Sequence, residues 1–319
     1  LLPQFAEEHR FEFARAADGV RLMLWGFFKK IVIADNIGVM VNNIYNYPTT
    51  HSGLPLIAAT VFFAIQVYCD FSGYSDIAIG SARVMGFRLM NNFNRPYAAT
   101  SVADFWKRWH ISLSSWFRDY LYIPLGRKHA NAWWLYFTTM TVFIVSGLWH
   151  GAAWTFLFWG ASHGLCIVLS LITRPVRQRL ARQIGLLRWP KLYNAWRVAF
   201  TFSLISFTFI FFRANSFSDM WYIVSHLGAG LPGDVLKLFV HGGLPDFAAT
   251  LGVSAFALAQ VFVAVIFMAL AHHFERPGEM GMRIGRQPVW LRWSVYNAVM
   301  AWIIFFGYFG QQPFIYFQF

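Results

Sequence analysis

From Ala130 to Thr173 the sequence reads ANAWWLYFTTMTVFIVSGLWHGAAWTFLFWGASHGLCIVLSLIT. These 44 residues contain no Asp, Glu, Lys or Arg. A helix crosses the hydrocarbon of a bilayer in about 20 apolar residues, so the stretch is long enough for two passes. His150 lies between those passes, inside Ser146-Gly147-Leu148-Trp149-His150-Gly151. An imidazole at membrane depth is unfavourable unless it has a partner or a purpose, and its default reading is a functional site.

The composition agrees with a membrane reading. Of 319 residues, 57% are hydrophobic, 20% aromatic and only 13% charged, against about 25% charged in soluble domains. Mean hydropathy is +0.45. The chain is therefore expected to be an all-α, polytopic integral membrane protein. Its net charge of +12 falls in loops beside apolar runs. That pattern signals orientation and attraction to anionic membrane lipids, and it is a poor fit to nucleic-acid binding. Cys69 and Cys166 suggest buried thiols, since two cysteines in apolar surroundings give neither a disulfide framework nor a zinc spacing. The sequence opens Leu1-Leu2-Pro3 with no methionine or signal peptide, so a preceding segment is expected.

Working outward, the candidate spans are about 54–69, 132–149, 152–173, 198–212, 247–271 and 293–310. A shorter run near 20–34 is interrupted by Lys29 and Lys30. Trp and Tyr cluster at the run ends, as in interfacial belts. Residues 174–197 carry Arg174, Arg177, Arg179, Arg182, Arg188, Lys191 and Arg197 with no acidic residue, which predicts a cytoplasmic loop. Counting from there, 213–246 and the C-terminus are external and 274–292 cytoplasmic. The segment 105–128, with Lys107, Arg108, Arg118, Arg127 and Lys128, is also expected on the cytoplasmic side. His150 then falls toward the outer half.

The stretch from Asp70 to Gly126 is too polar for a lipid-facing helix and too aromatic for a loop. Polar irregular backbone at membrane depth survives only inside protein or beside water. The expectation is a cavity lining or a re-entrant segment, with Asp70, Asp76, Arg83 and Arg88 pairing among themselves. No oxygen-ligand loop for a metal is present. Further on, helical spacing puts Trp106, His110, Leu113 and Phe117 on one face. Thr100 or Ser101 can cap the start, and Pro124 and Gly126 mark the end. This predicts an amphipathic helix along the inner interface, with His110 on its aromatic side.

Two readings of His150 stand side by side. It glues one helix to another by a hydrogen bond, or it is a general base, a neutral imidazole taking a proton from a hydroxyl within hydrogen-bond reach. Gly147 and Gly151, like Gly160 and Gly164, are four apart, a spacing that lets helices or a ligand approach closely. His163 reads as packing or support. No nucleophile elbow, phosphate loop or zinc motif is visible, which favours direct transfer over a covalent enzyme intermediate.

Several motifs resemble the membrane-bound O-acyltransferase (MBOAT) family. They are Tyr68-Cys69-Asp70-Phe71-Ser72-Gly73-Tyr74-Ser75-Asp76-Ile77-Ala78-Ile79-Gly80, Asn92-Phe93-Asn94-Arg95-Pro96-Tyr97, Phe105-Trp106-Lys107-Arg108-Trp109-His110-Ile111-Ser112-Leu113-Ser114 and Trp149-His150-Gly151. Gly26 to Asn36 and Phe314-Ile315-Tyr316-Phe317 are similar to its bacterial polysaccharide branch, whose members act on alginate, peptidoglycan, cellulose or teichoic acid. The resemblance covers essentially the whole chain, which reads as one domain over 1–319 without the family's N-terminal spans.

The resemblance implies a ring of tilted transmembrane helices around a central cavity, in a multi-pass protein of the bacterial inner membrane. It implies that His150 is the family's invariant histidine and His110 its second signature histidine. Trp106, Lys107, Arg108, Trp149, Ser146, Asn94 and Arg95 are candidates for positioning donor and acceptor. The implied activity is O-acetyl transfer from a cytoplasmic thioester, acetyl-CoA or another, to hydroxyls of an exported, alginate-like polysaccharide. A periplasmic acetyltransferase partner is an alternative acceptor. Neither a bound cofactor nor a metal is expected. The rival readings are a transporter or channel, and a non-catalytic scaffold of an acetylation complex.

Overall fold

A computed structural model describes residues 2–126, 131–240, 242–274, 282–285, 287–310, 312, 314 and 315. The expected charges Arg127 and Lys128, residues 275–281 and 286 of the loop 274–292, and Tyr316 and Phe317 lie outside these residues. In chain order the helices begin with α1 (Phe13–Phe27), α2 (Asp35–Tyr45), α3 (Leu54–Met85), α4 (Val102–Trp106), α5 (Ile111–Phe117) and α6 (Ile123–Gly126). Next come α7 (Ala132–His150), α8 (Trp154–Ile172), α9 (Arg174–Gln183), α10 (Pro190–Arg213) and α11 (Phe217–His226). The last are α12 (Leu231–Val240), α13 (Leu244–Thr250), α14 (Ala255–Phe274), α15 (Met282–Gly285) and α16 (Val289–Phe306). No strand occurs among the described residues. Six helices are long and apolar enough to cross a membrane: α3, α7, α8, α10, α14 and α16. All six expected spans are there, with moved ends. The run 247–271 is broken at Gly252, whose φ of +77° separates α13 from α14.

The chain divides into two compact units, residues 1–94 with 227–318, and residues 95–226. In the first unit α3 is the central helix. Its 32 residues make a rod of about 48 Å, and it continues unbroken through Asp70–Met85, which corrects the expectation of irregular backbone there. The polar groups of that half are satisfied from outside the helix. Residues Phe28–Ala34 join α1 to α2 in a widened π-helical turn, and this turn presents two adjacent lysines to α3. The Lys29 ammonium pairs with Asp76 at 2.8 Å and donates to Ser72 Oγ at 2.9 Å. Lys30 pairs with Asp70 at 2.6 Å and with Asp35 at 2.8 Å. Arg83 pairs with Asp18 on α1, although its charge also acts on Asp76. Arg88 is exposed, and its backbone N–H donates to the Gln4 side chain at 2.7 Å. The acidic and basic residues of α3 thus find most of their partners on the lysine turn and α1, not among themselves.

Glycine lets α1 and α3 come this close. A Cβ on Gly19 would meet the Gly80 carbonyl oxygen at 2.5 Å, and one on Gly26 would meet that of Gly73 at 2.6 Å. α3 ends where Gly86, at φ +97°, turns left-handed and the Phe87 N–H reaches back to Ala82 O at 2.8 Å, a Schellman stop.

In the second unit α7 and α8 form an antiparallel hairpin. Gly147 and Gly160 meet at its crossing, where a Cβ on either would strike backbone of the other helix. The spacing of small residues in the sequence predicted this approach. The basic helix α9 follows α8 at the end of the hairpin remote from His150.

The segment 95–126 is not one interfacial helix. Ser101 caps α4, its Oγ accepting from Asp104 N–H at 3.1 Å, and the Asp104 carboxylate accepts from Thr100 N–H at 3.0 Å. α4 stops after five residues. His110 takes a left-handed conformation, φ +43°, before α5 begins. Four contacts trace the path. Thr100 Oγ1 accepts from Arg197 near the start of α10, Trp106 reaches His163 in mid-α8, and His110 lies beside Trp149 at the end of α7. Leu125 O then accepts from Trp134 Nε1 at the start of α7. The segment dips along the hairpin to the level of His150 and returns.

Candidate active site

His150 is the last residue of α7 and half-buried. Aromatic rings surround it. The centroids of Trp149, Trp159 and Phe212 lie 4.9, 5.0 and 5.2 Å from its ring, all near edge-on. Gly151 lets the chain leave α7 tightly, because a Cβ there would meet the Phe156 ring at 2.7 Å. Ser146, one turn earlier, is buried.

His110 reaches the same place from the dipping segment. Its ring is 6.5 Å from that of Trp149, so Trp149 neighbours both histidines. The two imidazoles are near enough for a charge on one to act on the other. The left-handed turn at His110 makes this possible. Non-glycine residues adopt that conformation uncommonly, though His is among the enriched types. A continuous helix would have put His110 one turn above Trp106 on the same face. The break at 107–110 replaces that shared face. Outside the spanning helices, burial pushes the His110 imidazole down to about 4, so it is neutral at ordinary pH.

Behind His150 a second histidine is fixed in one tautomer. His163 is fully buried. The Trp106 indole Nε1–H, which can only donate, gives its hydrogen to His163 Nδ1 at 3.3 Å. His163 Nε2 therefore carries the proton and donates to Thr208 Oγ1 at 3.0 Å. Thr208 passes its own hydrogen to Ile205 O at 2.8 Å. This chain ties the dipping segment, α8 and α10 together. It also backs the Trp159 ring, which packs edge-on against both His163 and His150. The Trp159 Nε1–H is buried and meets no acceptor among the described residues. That leaves a donor in the wall beside His150.

The other sequence candidates divide. Trp106 is in the brace. Trp149 is exposed and adjoins both histidines. Arg108 is held by Asp104 at 2.9 Å, and Lys107 is exposed. Arg95 is left-handed at φ +48°, and its carbonyl closes the turn at Ala98. Asn94 is exposed and belongs to the other compact unit. Sequence reading missed Trp159, Thr208 and Phe212, which look like ordinary span residues there. Among the described residues no three His, Cys, Asp or Glu side chains lie close enough to hold a metal ion.

The sequence profile of the membrane-bound O-acyltransferase family matches residues 16–216. The chain belongs to that family. It is 38% identical over 205 residues to the probable alginate O-acetylase AlgI of Pseudomonas aeruginosa, covering 64% of this chain and 37% of that protein. It is 34% identical over 235 residues to the peptidoglycan O-acetyltransferase of Helicobacter pylori, covering 73% and 43%. To the teichoic acid D-alanyltransferase of Bacillus subtilis it is 28% identical over 222 residues, covering 62% and 51%. The chain thus spans about two fifths of the length of the first two relatives. The matched MBOAT region contains both histidines and the whole brace. With its six candidate spans, this MBOAT chain is a multi-pass membrane protein.

Proposed function

We propose that this chain is the catalytic membrane part of an O-acyltransferase of the bacterial inner membrane. It moves an acetyl group from a cytoplasmic thioester to hydroxyls of an exported polysaccharide, or to a periplasmic partner that completes the transfer. The observation that carries this reading is the meeting of His110 and His150, forty residues apart in sequence, at Trp149 inside one aromatic enclosure. The named activities of the alginate and peptidoglycan relatives support acetyl as the group and a polysaccharide as the acceptor.

In this mechanism neutral His150 takes the proton of an acceptor hydroxyl. The hydroxyl oxygen bonds to the acyl carbon, the carbon–sulfur bond breaks, and the leaving thiolate receives the proton from His150. His110 and the Trp159 indole N–H are the nearby groups suited to hold the developing oxyanion. Aromatic walls keep water from the thioester. The basic residues of α9 suit an anionic donor on one side, and the position of His150 at the far end of α7 suits an exported acceptor on the other.

The test is acetyl transfer in membranes carrying the full-length protein as His150→Ala. Transfer is expected to fall at least about 100-fold, with protein abundance unchanged. Undiminished acetylation of the polymer at normal abundance would sink the proposal.

A further inference from the structure

Away from the histidines, the second unit holds a cavity of about 560 Å3, within the roughly 300–1,000 Å3 range of small-molecule sites. It is bounded by the later turns of α8, by α9, by the early turns of α10 and by the cap of α4. One face of α9 and its C-cap line it, because Arg177, Leu180, Ala181 and Ile184 fall at helical spacing. Opposite lie Leu169 of α8 and Phe200 and Leu204 of α10.

The wall is mostly apolar, with hydroxyls of Thr100, Ser101, Ser170 and Thr173 and two cations, Arg177 and Arg197. Arg177 donates to Thr173 Oγ1 at 3.1 Å and to the Ser170 carbonyl at 2.7 Å. Arg197 donates to Thr100 Oγ1 at 2.9 Å and lies over the Tyr193 ring. Every one of these acceptors is neutral. The sequence contains no Asp or Glu between Asp119 and Asp219, and Asp104 and Asp119 are engaged by Arg108 and Arg118. Two guanidinium groups therefore line a largely apolar cavity at the end of two spans, and neither has a carboxylate partner among the described residues.

We propose that this cavity binds one anionic glycerophospholipid of the surrounding membrane. Its phosphate sits at Arg177 and Arg197, and an acyl chain lies among Leu180, Ile184, Phe200 and Leu204. Guanidinium groups match phosphate oxygens in charge and in donor geometry. The cavity's place beside a basic helix is where a headgroup and a chain would part company. The site involves neither proposed catalytic histidine, so its failure leaves the acyl-transfer reading standing.

The experiment is native mass spectrometry of the full-length protein, released in mild detergent from membranes containing phosphatidylglycerol and phosphatidylcholine. The protein is expected to retain about one equivalent of phosphatidylglycerol. Retention should fall about fivefold for each arginine removed in Arg177→Gln/Arg197→Gln. The control Arg179→Gln/Arg182→Gln removes equal charge from α9, outside the cavity lining, and should retain the lipid. Arg177 is exposed, so Arg177→Gln alone keeps the comparison readable if the double variant does not fold. Wild-type retention in the Arg177 variants overturns the proposal, as does equal retention of phosphatidylcholine. So does displacement of the bound lipid by acetyl-CoA, which would assign the cavity to a soluble thioester.

Discussion

His163 has both ring nitrogens occupied, one by a donor that cannot accept, and its neighbours depend on it for their own hydrogen bonds. Thr208→Val keeps the shape but leaves the His163 Nε2–H without an acceptor in a dry interior. A buried donor stranded in this way costs about 1–3 kcal/mol, so thermal unfolding in detergent should show a lower Tm. An unchanged Tm would mean that the brace carries no load. His110 makes a separate prediction. Its imidazole is held down at about 4 when folded, against about 6.5 when unfolded. Between those values the unfolded chain binds more protons, so stability falls as pH drops from 6.5 through 4. The loss is on the order of 3 kcal/mol, and His110→Asn should flatten it in unfolding measured across that range. His150 stood out in the sequence because an ionisable group in an apolar run is conspicuous alone. Trp159 and Thr208 did not, because Trp159 packs on His150 from 9 positions away and Thr208 holds His163 from 45 positions away, contacts that only folding makes.

Helix pairs carry the next level of the account. The α7–α8 crossing rests on Gly147 against Gly160, so Gly160→Ala must push the helices apart. Overpacking of this kind costs about 1–3 kcal/mol, and it also shifts Trp159 from behind His150. Tm and acetyl transfer should therefore drop together. A variant that loses neither would show that the crossing is loose. In the first unit, Lys29→Met takes from the buried Asp76 carboxylate its ion-pair partner, a change that costs about 3–5 kcal/mol. Lys29→Met/Asp76→Leu removes both charges and should recover most of the protein yield, measured by fluorescence-detected chromatography. Continued loss in the double variant would argue that the pair does more than neutralise itself. At this scale the sequence was partly legible. Runs without charge gave all six spans, and the glycine spacing gave the α7–α8 approach. The helical half of α3 beyond Asp70 was hidden, because the lysines that satisfy it come from a turn about 40 residues earlier. The break before His110 was hidden too, since its spacing fits a helix and the left-handed turn has no glycine to announce it.

Across the whole molecule, the motifs at 68–80, 92–97, 105–114 and 149–151 carried the family, and the profile match over residues 16–216 bears that out. What sequence alone left open was whether the two signature histidines meet. A continuous amphipathic helix on the inner face would have kept His110 away from the far end of α7. The dipping segment brings it there. If the two act on one acyl group, their removal must be strongly non-additive. The most direct measurement is a double-mutant cycle on acetyl transfer, with His110→Ala, His150→Ala and the double variant in full-length protein at matched abundance. The account predicts a loss of at least about 100-fold for His150→Ala, a clear loss for His110→Ala, and a double variant no worse than His150→Ala alone. Losses that multiply, or a His110→Ala protein with undiminished transfer, would contradict a shared reaction centre.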